Sequence, residues 1–194
     1  PYKLQKQVDF LEANEDYSIC AHGVEVIDSM SNAVKTFSHP GSYTRLDFLK
    51  HHVLSTLSAV FRNNLKDLPS TENIYNGDTF LFNFLLNGKK AYVMGDIMGV
   101  HREHKGGVWS SKDVVFKLKQ SMNTKLLIQQ RMPLTDEENE AFNRKIKEYK
   151  HWLAYYENPY KNLIQGNLPT KLFINNEWNK LKGKLYNIKK AFIH

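Results

Sequence analysis

The chain has 194 residues, a formal charge of +7, and 41% hydrophobic and 12% aromatic residues, which excludes a disordered polar segment and leaves enough apolar surface for a real core. The charge is local, because residues 171–194 hold six lysines against one glutamate. The remainder is nearly balanced, which argues against nucleic acid as a partner, since that would need basic and aromatic residues interleaved across a folded face.

Taken in order, Tyr2 to Ala13 is predicted as a helix with Leu4, Val8 and Leu11 on its buried face. Tyr17 to Ile27 is predicted as a strand in which Ile19, Ala21, Val24 and Val26 alternate, with the step slipping at Gly23 as at a bulge. Cys20 lies inside this strand and reads as a packed thiol. As the only cysteine it rules out an intrachain disulfide and favours a reducing compartment. Ser29 to Thr44, rich in Ser, Asn and Gly and containing Pro40, reads as a loop, with His39 exposed or near a ligand. A short helix, Arg45 to His51 with Leu46 and Leu49 inward, leads to a buried strand from Val53 to Phe61. His51 and His52 are adjacent, so on a helix they point about 100° apart and make a poor metal pair. Leu65 to Asn76, with Pro69 and little periodicity, is a connecting loop.

The stretch Asn76 to Ser110, NGDTFLFNFLLNGKKAYVMGDIMGVHREHKGGVWS, has the order of a site. From Asp78 to Asn87 the residues are apolar nearly all round, and Asp78 falls in line with Leu81, Phe82 and Leu85. A carboxylate continuing an apolar face caps the helix, finds a partner or stands at the rim of a cleft, because burying it unpaired is costly. Asn87-Gly88 ends the helix, with Gly88 a left-handed stop. Lys90 to Met94 and Ile97 to His101 read as two strands broken at Gly95-Asp96. In the extended His101-Arg102-Glu103-His104 that follows, Arg102 and His104 face the same way. A guanidinium beside an imidazole suits an anionic group such as a diphosphate, and the imidazole also suits a metal; a solvated charged loop is the plainer alternative. Gly106 and Gly107 allow close approach of backbone to a ligand.

Beyond the site the pattern becomes helical. Ser110-Ser-Lys-Asp113 reads as a capping box opening a helix with Val115, Leu118 and Met122 on one side, running to Arg131 and stopped by Pro133. Thr135-Asp-Glu-Glu138 caps a second, striped by Phe142, Ile146, Tyr149, Leu153 and Tyr156. A third, after Pro169, carries Trp178, Leu181, Leu185, Ile188 and Phe192. The last two stripes alternate steps of three and four, so an antiparallel hairpin is expected, with homodimeric pairing of two chains as the alternative. Lys180, Lys182, Lys184, Lys189 and Lys190 decorate the rest of that helix as a solvated face, or as weak peripheral contact with an anionic membrane. No apolar run reaches the roughly 20 residues of a spanning helix.

The ordered set of Gly-Asp at a helix start, Asn-Gly-Lys, a strand, and Arg102-x-His104-x-Gly-Gly-x-Trp-Ser resembles the acceptor half of a family 2 glycosyltransferase of the glycosyltransferase A fold. The opening PYKLQKQVDFLEANEDYSIC and the segment Ser55 to Asn63 are similar to the same family, so the likeness covers about residues 1–115. It implies an α/β fold, with residues 1–110, a small mixed sheet with flanking helices, as the acceptor-side portion of that domain; residues 111–194, on which the resemblance says little, read from their stripes as a C-terminal helical extension. It also implies that Asp78 is the catalytic base of an inverting transfer. Arg102 and His104 would then lie near the nucleotide diphosphate and its divalent cation, Mn or Mg, with His104 able to touch the metal. The family usually has tyrosine where this chain has His101, so no role carries over there. No Asp-x-Asp is present and the chain begins at Pro1. The expectation is therefore a truncated or excised part, inactive alone, whose nucleotide-binding half is missing. Its partners would be a nucleotide-sugar donor and a carbohydrate or lipid-linked acceptor in polysaccharide or glycolipid synthesis. The expected location is the cytoplasm or the inner membrane face, and the alternative function is a non-catalytic interaction module.

Overall fold

The computed structural model describes residues 2–50, 53–104 and 106–157. Two compact units divide the chain, Pro1–Leu153 and Ala154–His194. The expected helix with Trp178 to Phe192, its lysines, and His51 and His52 lie outside the described residues.

The first unit is mixed α/β. Its elements are α1 (Lys3–Ala13), β1 (Tyr17–Ile27), β2 (Ala33–Phe37), β3 (Gly41–Tyr43), α2 (Arg45–Lys50), a 3-10 turn (Thr56–Ser58), β4 (Val60–Phe61), α3 (Gly77–Leu85), β5 (Lys90–Arg102), α4 (Val114–Arg131) and α5 (Asp136–Glu157), the last of which runs on into the second unit. The sheet runs β2-β1-β5-β3, with β4 also on β1. β1 and β5 are parallel, and every other pair is antiparallel. A parallel pair needs a long crossover, and here the crossover contains α2, the 3-10 turn, β4 and α3.

α3 explains its own composition. Phe82, Leu85 and Leu86 pack with Ile19, Ala21, Ala91 and Val93 of the sheet, while Phe80 joins Leu49, Ile128, Met132, Ala141 and Phe142 of α2, α4, α5 and their connection. A helix covered on both sides must be apolar nearly all round. Gly88 ends the segment at φ +64, as expected.

Several expectations are corrected. In α1, Leu4 and Val8 are exposed, and the buried positions are Gln7 and Leu11. Gln7 Nε2 donates to the carbonyls of Cys20 and Ser58 at 2.7 and 2.8 Å, so a hydrogen-bonded amide seats the helix. Phe10 stacks on Tyr92 with ring centroids 4.4 Å apart. Tyr92 points away from its neighbours Ala91 and Val93, which places α1 on the sheet face opposite α3.

Residues 29–44 are not all loop: β2 and β3 lie within them. Both are exposed or half-buried and are held by backbone ladders, so no apolar alternation announces them. His39 is exposed, edge-on to Phe37 at 4.9 Å. The expected strand from Val53 to Phe61 is mostly a buried extended segment and a 3-10 turn, with only Val60 and Phe61 in a ladder. Ser58 Oγ donates to the Ser55 carbonyl at 2.6 Å, a local bond that competes with strand pairing.

The two strands expected around Gly95-Asp96 are one, β5. His22 pairs with Met94 and Gly23 with Ile97, so the glycine and aspartate are accommodated as a bulge. Ser110 does not cap α4; Asp113 does, accepting from the Phe116 N–H at 2.8 Å. The buried positions of α4 are Thr124, Lys125 and Ile128, with Val115, Leu118 and Met122 only half-buried. α5 begins as expected: Thr135 N–H donates to Glu138 at 2.9 Å and Glu138 N–H donates to Thr135 Oγ1 at 3.2 Å, the reciprocal capping box. Phe142, Ile146 and Leu153 of its stripe are buried, while Tyr149 and Tyr156 are half-buried. Cys20 is fully buried, and burial pushes its thiol up to about 11. No helix among the described residues is long and apolar enough to cross a membrane.

Candidate functional site

Asp78 is the second residue of α3, with Asn76 at the capping position and making no side-chain cap bond. The Asp78 carboxylate is half-buried and held from two sides. Its Oδ1 accepts the Thr79 N–H at 2.7 Å and its Oδ2 accepts from Thr56 Oγ1 at 2.7 Å. Thr56 comes from the 3-10 turn, 22 residues upstream, and no local sequence pattern marks it. Thr79 Oγ1 adds a long third bond to Oδ1 at 3.5 Å, which leaves the carboxylate about one further acceptor position. The acid is therefore oriented and still able to receive a proton donor.

Arg102 closes β5, where it pairs with Ile27 of β1. Its Nη1 donates to the Asp28 carbonyl at 3.1 Å and to Ser31 Oγ at 3.0 Å. The turn that receives it is tied by Asp28, whose carboxylate accepts from Met30 N–H, Asn32 N–H and Asn32 Nδ2 at 2.8 to 3.0 Å. Asn32's side chain and backbone bonds hold the Asp28 carboxyl below its ordinary pKa. Glu103 pairs with Lys35 at 3.6 Å. Both acids are thus engaged with neighbours, while the Arg102 guanidinium, with five N–H donors in all, keeps donors in reserve.

Arg102, His104 and His101 line a cavity of about 750 Å³, with Asp28 and Ser29 on one side and Trp109 and Lys117 contributing from the loop before α4 and its first turns. Arg102 and His104 share this wall with His101 and Glu103, so the expected division of the four residues between two faces does not hold past the end of β5. Asp78 is not among the lining residues. Tyr75, in the segment that leads into α3, lies with its ring 6.0 Å from that of Trp109 and 5.0 Å from that of Phe116. Thr56 is followed by Leu57, which packs where a side chain at Gly99 of β5 would stand, 3.0 Å away.

The glycine pair has a role. A Cβ on Gly107 would lie 2.4 Å from Ser110 Oγ, and that hydroxyl donates to the His104 carbonyl at 2.9 Å. Gly107 therefore lets the loop fold tightly behind His104. Among the described residues no three His, Cys, Asp or Glu side chains gather as a metal site. A divalent cation, which prefers oxygen ligands, finds here the imidazoles of His101 and His104 and two carboxylates, Asp28 and Glu103, that already have partners. Its cage is not built from the described residues.

His22 is buried, and its Nδ1–H donates to the Gly23 carbonyl at 2.7 Å. Burial holds its pKa below the ordinary value despite that bond. It is packed beneath Gly99 and supports the bulged strand from within.

The fold and site define a mixed α/β unit with a cation-lined cavity at the carboxyl ends of two parallel strands. No protein-family model matches the chain, and no solved structure matches it. Uncharacterized proteins of Mycobacterium bovis and Mycobacterium tuberculosis are 29% identical to it over 118 residues, which is 57% of this chain and 33% of theirs. The match thus spans about a third of the length of these curated relatives.

Proposed function

We propose that this chain is the acceptor-side part of an inverting glycosyltransferase of the glycosyltransferase A type, acting with a nucleotide-sugar-binding half. The observation that carries the reading is the delivery of Arg102 and His104, by a strand parallel to β1, to one cavity whose acids already have partners. The fixed carboxylate of Asp78, held by Thr56 and Thr79, supports it.

An acceptor hydroxyl donates to Asp78, and its oxygen attacks the anomeric carbon from the face opposite the nucleoside diphosphate. The new C–O bond forms as the bond to the diphosphate breaks, and the hydroxyl proton passes to Asp78. A carboxylate is a weak base toward an alcohol, so proton transfer accompanies bond formation. The reserve donors of Arg102 neutralise charge on the departing phosphate. The acceptor is a carbohydrate or a lipid-linked carbohydrate, and the setting is the cytoplasmic side of polysaccharide or glycolipid synthesis.

The test is sugar transfer by an enzyme that carries this chain together with a nucleotide-sugar-binding half. Asp78→Asn lowers kcat about a thousandfold with little change in KM for the donor. Transfer by that variant at the wild-type rate removes the assignment.

A further inference from the structure

The Arg102 and His104 ledge uses only part of the cavity. Another part is made by Trp109 and by Lys117 in the first turns of α4. Trp109 is 40% exposed, a large share for an indole with the aromatic ring of Tyr75 6.0 Å away. Lys117 is half-buried, and its ammonium stands 6.0 Å from the Trp109 ring centroid. Among the described residues no carboxylate pairs with it. A lysine near the N-terminus of a helix meets the positive end of the helix dipole, so it gains nothing from its own helix there. Asp28 and Glu103, the acids of the wall, have partners elsewhere.

An indole face and an unpaired ammonium at the same wall have a definite complement. The C–H groups on one face of a pyranose are weakly positive and lie well on the negative face of an aromatic ring. An ammonium 6.0 Å from that ring centre is within reach of a substituent on a sugar so placed. The contact of Lys117 with the ring is a cation–π contact at an exposed site, which is weak enough to yield to a full negative charge. A cavity of about 750 Å³ has room for a monosaccharide beside an anion held at Arg102.

We infer that Trp109 and Lys117 form a subsite for a pyranose bearing an anionic substituent, a phosphate or a carboxylate, with the ring on Trp109 and the anion on Lys117. That this sugar is the acceptor rests on the glycosyltransferase reading above; its binding does not.

The experiment is titration of this chain, by calorimetry and tryptophan fluorescence, with glucuronate, glucose 6-phosphate, neutral glucose and inorganic phosphate. At least one anionic sugar binds about tenfold or more tightly than both glucose and phosphate, and which one does so separates carboxylate from phosphate. Lys117→Gln removes that preference and leaves the weak glucose binding unchanged. Trp109→Ala weakens the sugars and spares inorganic phosphate. Each variant is accepted only if its circular dichroism and melting match wild type, and Lys117→Arg, which keeps the charge, retains the preference. Equal binding of charged and neutral sugars, or an unchanged preference in Lys117→Gln, overturns the proposal. UDP binding by a chain that ignores both anionic sugars overturns it while leaving the glycosyltransferase reading in place. Lys117-dependent sugar binding together with full transfer activity in Asp78→Asn upholds this subsite and removes that reading.

Discussion

Thr56 Oγ1 lies 2.7 Å from Asp78 Oδ2, joining the 3-10 turn to the first turn of α3 across 22 residues of chain. The hydroxyl holds Oδ2 while the Thr79 N–H holds Oδ1, so together they fix the plane of the carboxylate. Thr56→Val preserves shape and deletes the donor. The expected outcome is a loss of about 1 kcal/mol in folding stability. In an enzyme completed with a nucleotide-sugar half, kcat falls about tenfold with KM for the donor nearly unchanged. Denaturant midpoints and steady-state kinetics read the two effects separately.

Lys125 and Tyr149 give a pH signature. Burial holds the Lys125 ammonium down at about 8 from an ordinary 10.5, with Lys145 adding to the effect and Glu148 opposing it. Its ammonium lies 5.3 Å from the centre of the Tyr149 ring. Below about pH 8 the amine is charged in both states and the folded chain bears the full cost. Between about 8 and 10.5 the unfolded chain holds more protons, so stability rises with pH, by on the order of 3 kcal/mol in full. Burial pushes Tyr149 up to about 12 from 10.0. Above about pH 10 the unfolded chain sheds that proton first, and this contribution falls. Urea unfolding across pH 7 to 11 shows a rise followed by a turn downward. In Lys125→Met the rise disappears, and its persistence there would refute the assignment.

Gln7 is the polar pin beneath α1. In Gln7→Met the side chain keeps its length, but the carbonyls of Cys20 and Ser58 lose their donor in a dry interface. Two orphaned acceptors cost about 3 kcal/mol together. Chemical denaturation of the variant measures it, and a change below about 1 kcal/mol would show that water replaces the amide.

Arg45 is almost fully buried, and Glu138 is its counter-charge at 3.0 Å. Its guanidinium also donates to the carbonyls of Asn83 and Pro133, so one side chain ties α2 to α3 and to the start of α5. Glu138→Gln keeps the shape and the means to bond Thr135, but strands the charge. The expected loss is about 3 kcal/mol or more. Arg45→Met combined with Glu138→Gln recovers part of that loss, because it removes the stranded charge; thermal melts of the single and double variants form the cycle.

Legibility in the sequence followed the physics of each element. β1 and the cap of α5 were readable because an apolar run and a Thr-x-x-Glu pair are local patterns, although β1 is buried continuously from Ser18 to Val24 rather than at alternate residues. The two-sided burial of α3 was written in its composition. α1 was misread because Leu4 and Val8 are more hydrophobic than Gln7, and hydrophobicity alone does not reveal that two carbonyls await an amide. β2 and β3 were invisible because strands held by backbone on an exposed face need no periodic side chains. Arg102 and His104, which share the cavity wall, could be singled out because they lie two positions apart in the chain. Thr56 and Lys117 come from other elements and become partners only once the chain is folded.

The irregularity in β5 also acts as a vernier. Ladder partners are 72 positions apart at His22 and Met94 but 75 apart at Val24 and Gly99. Had the earlier offset continued, Arg102 would overshoot the end of β1 by three residues, about 10 Å. The slack draws it back beside Ile27, within reach of the Asp28 carbonyl. Deleting one residue at Gly95 or Asp96 would move that guanidinium to the other side of the sheet, while deleting two would keep its side and misplace it along the strand. The position of the ledge is thus decoupled from the packing of the core, so its reach can be retuned by small changes in length while Ala91 and Val93 stay where they are.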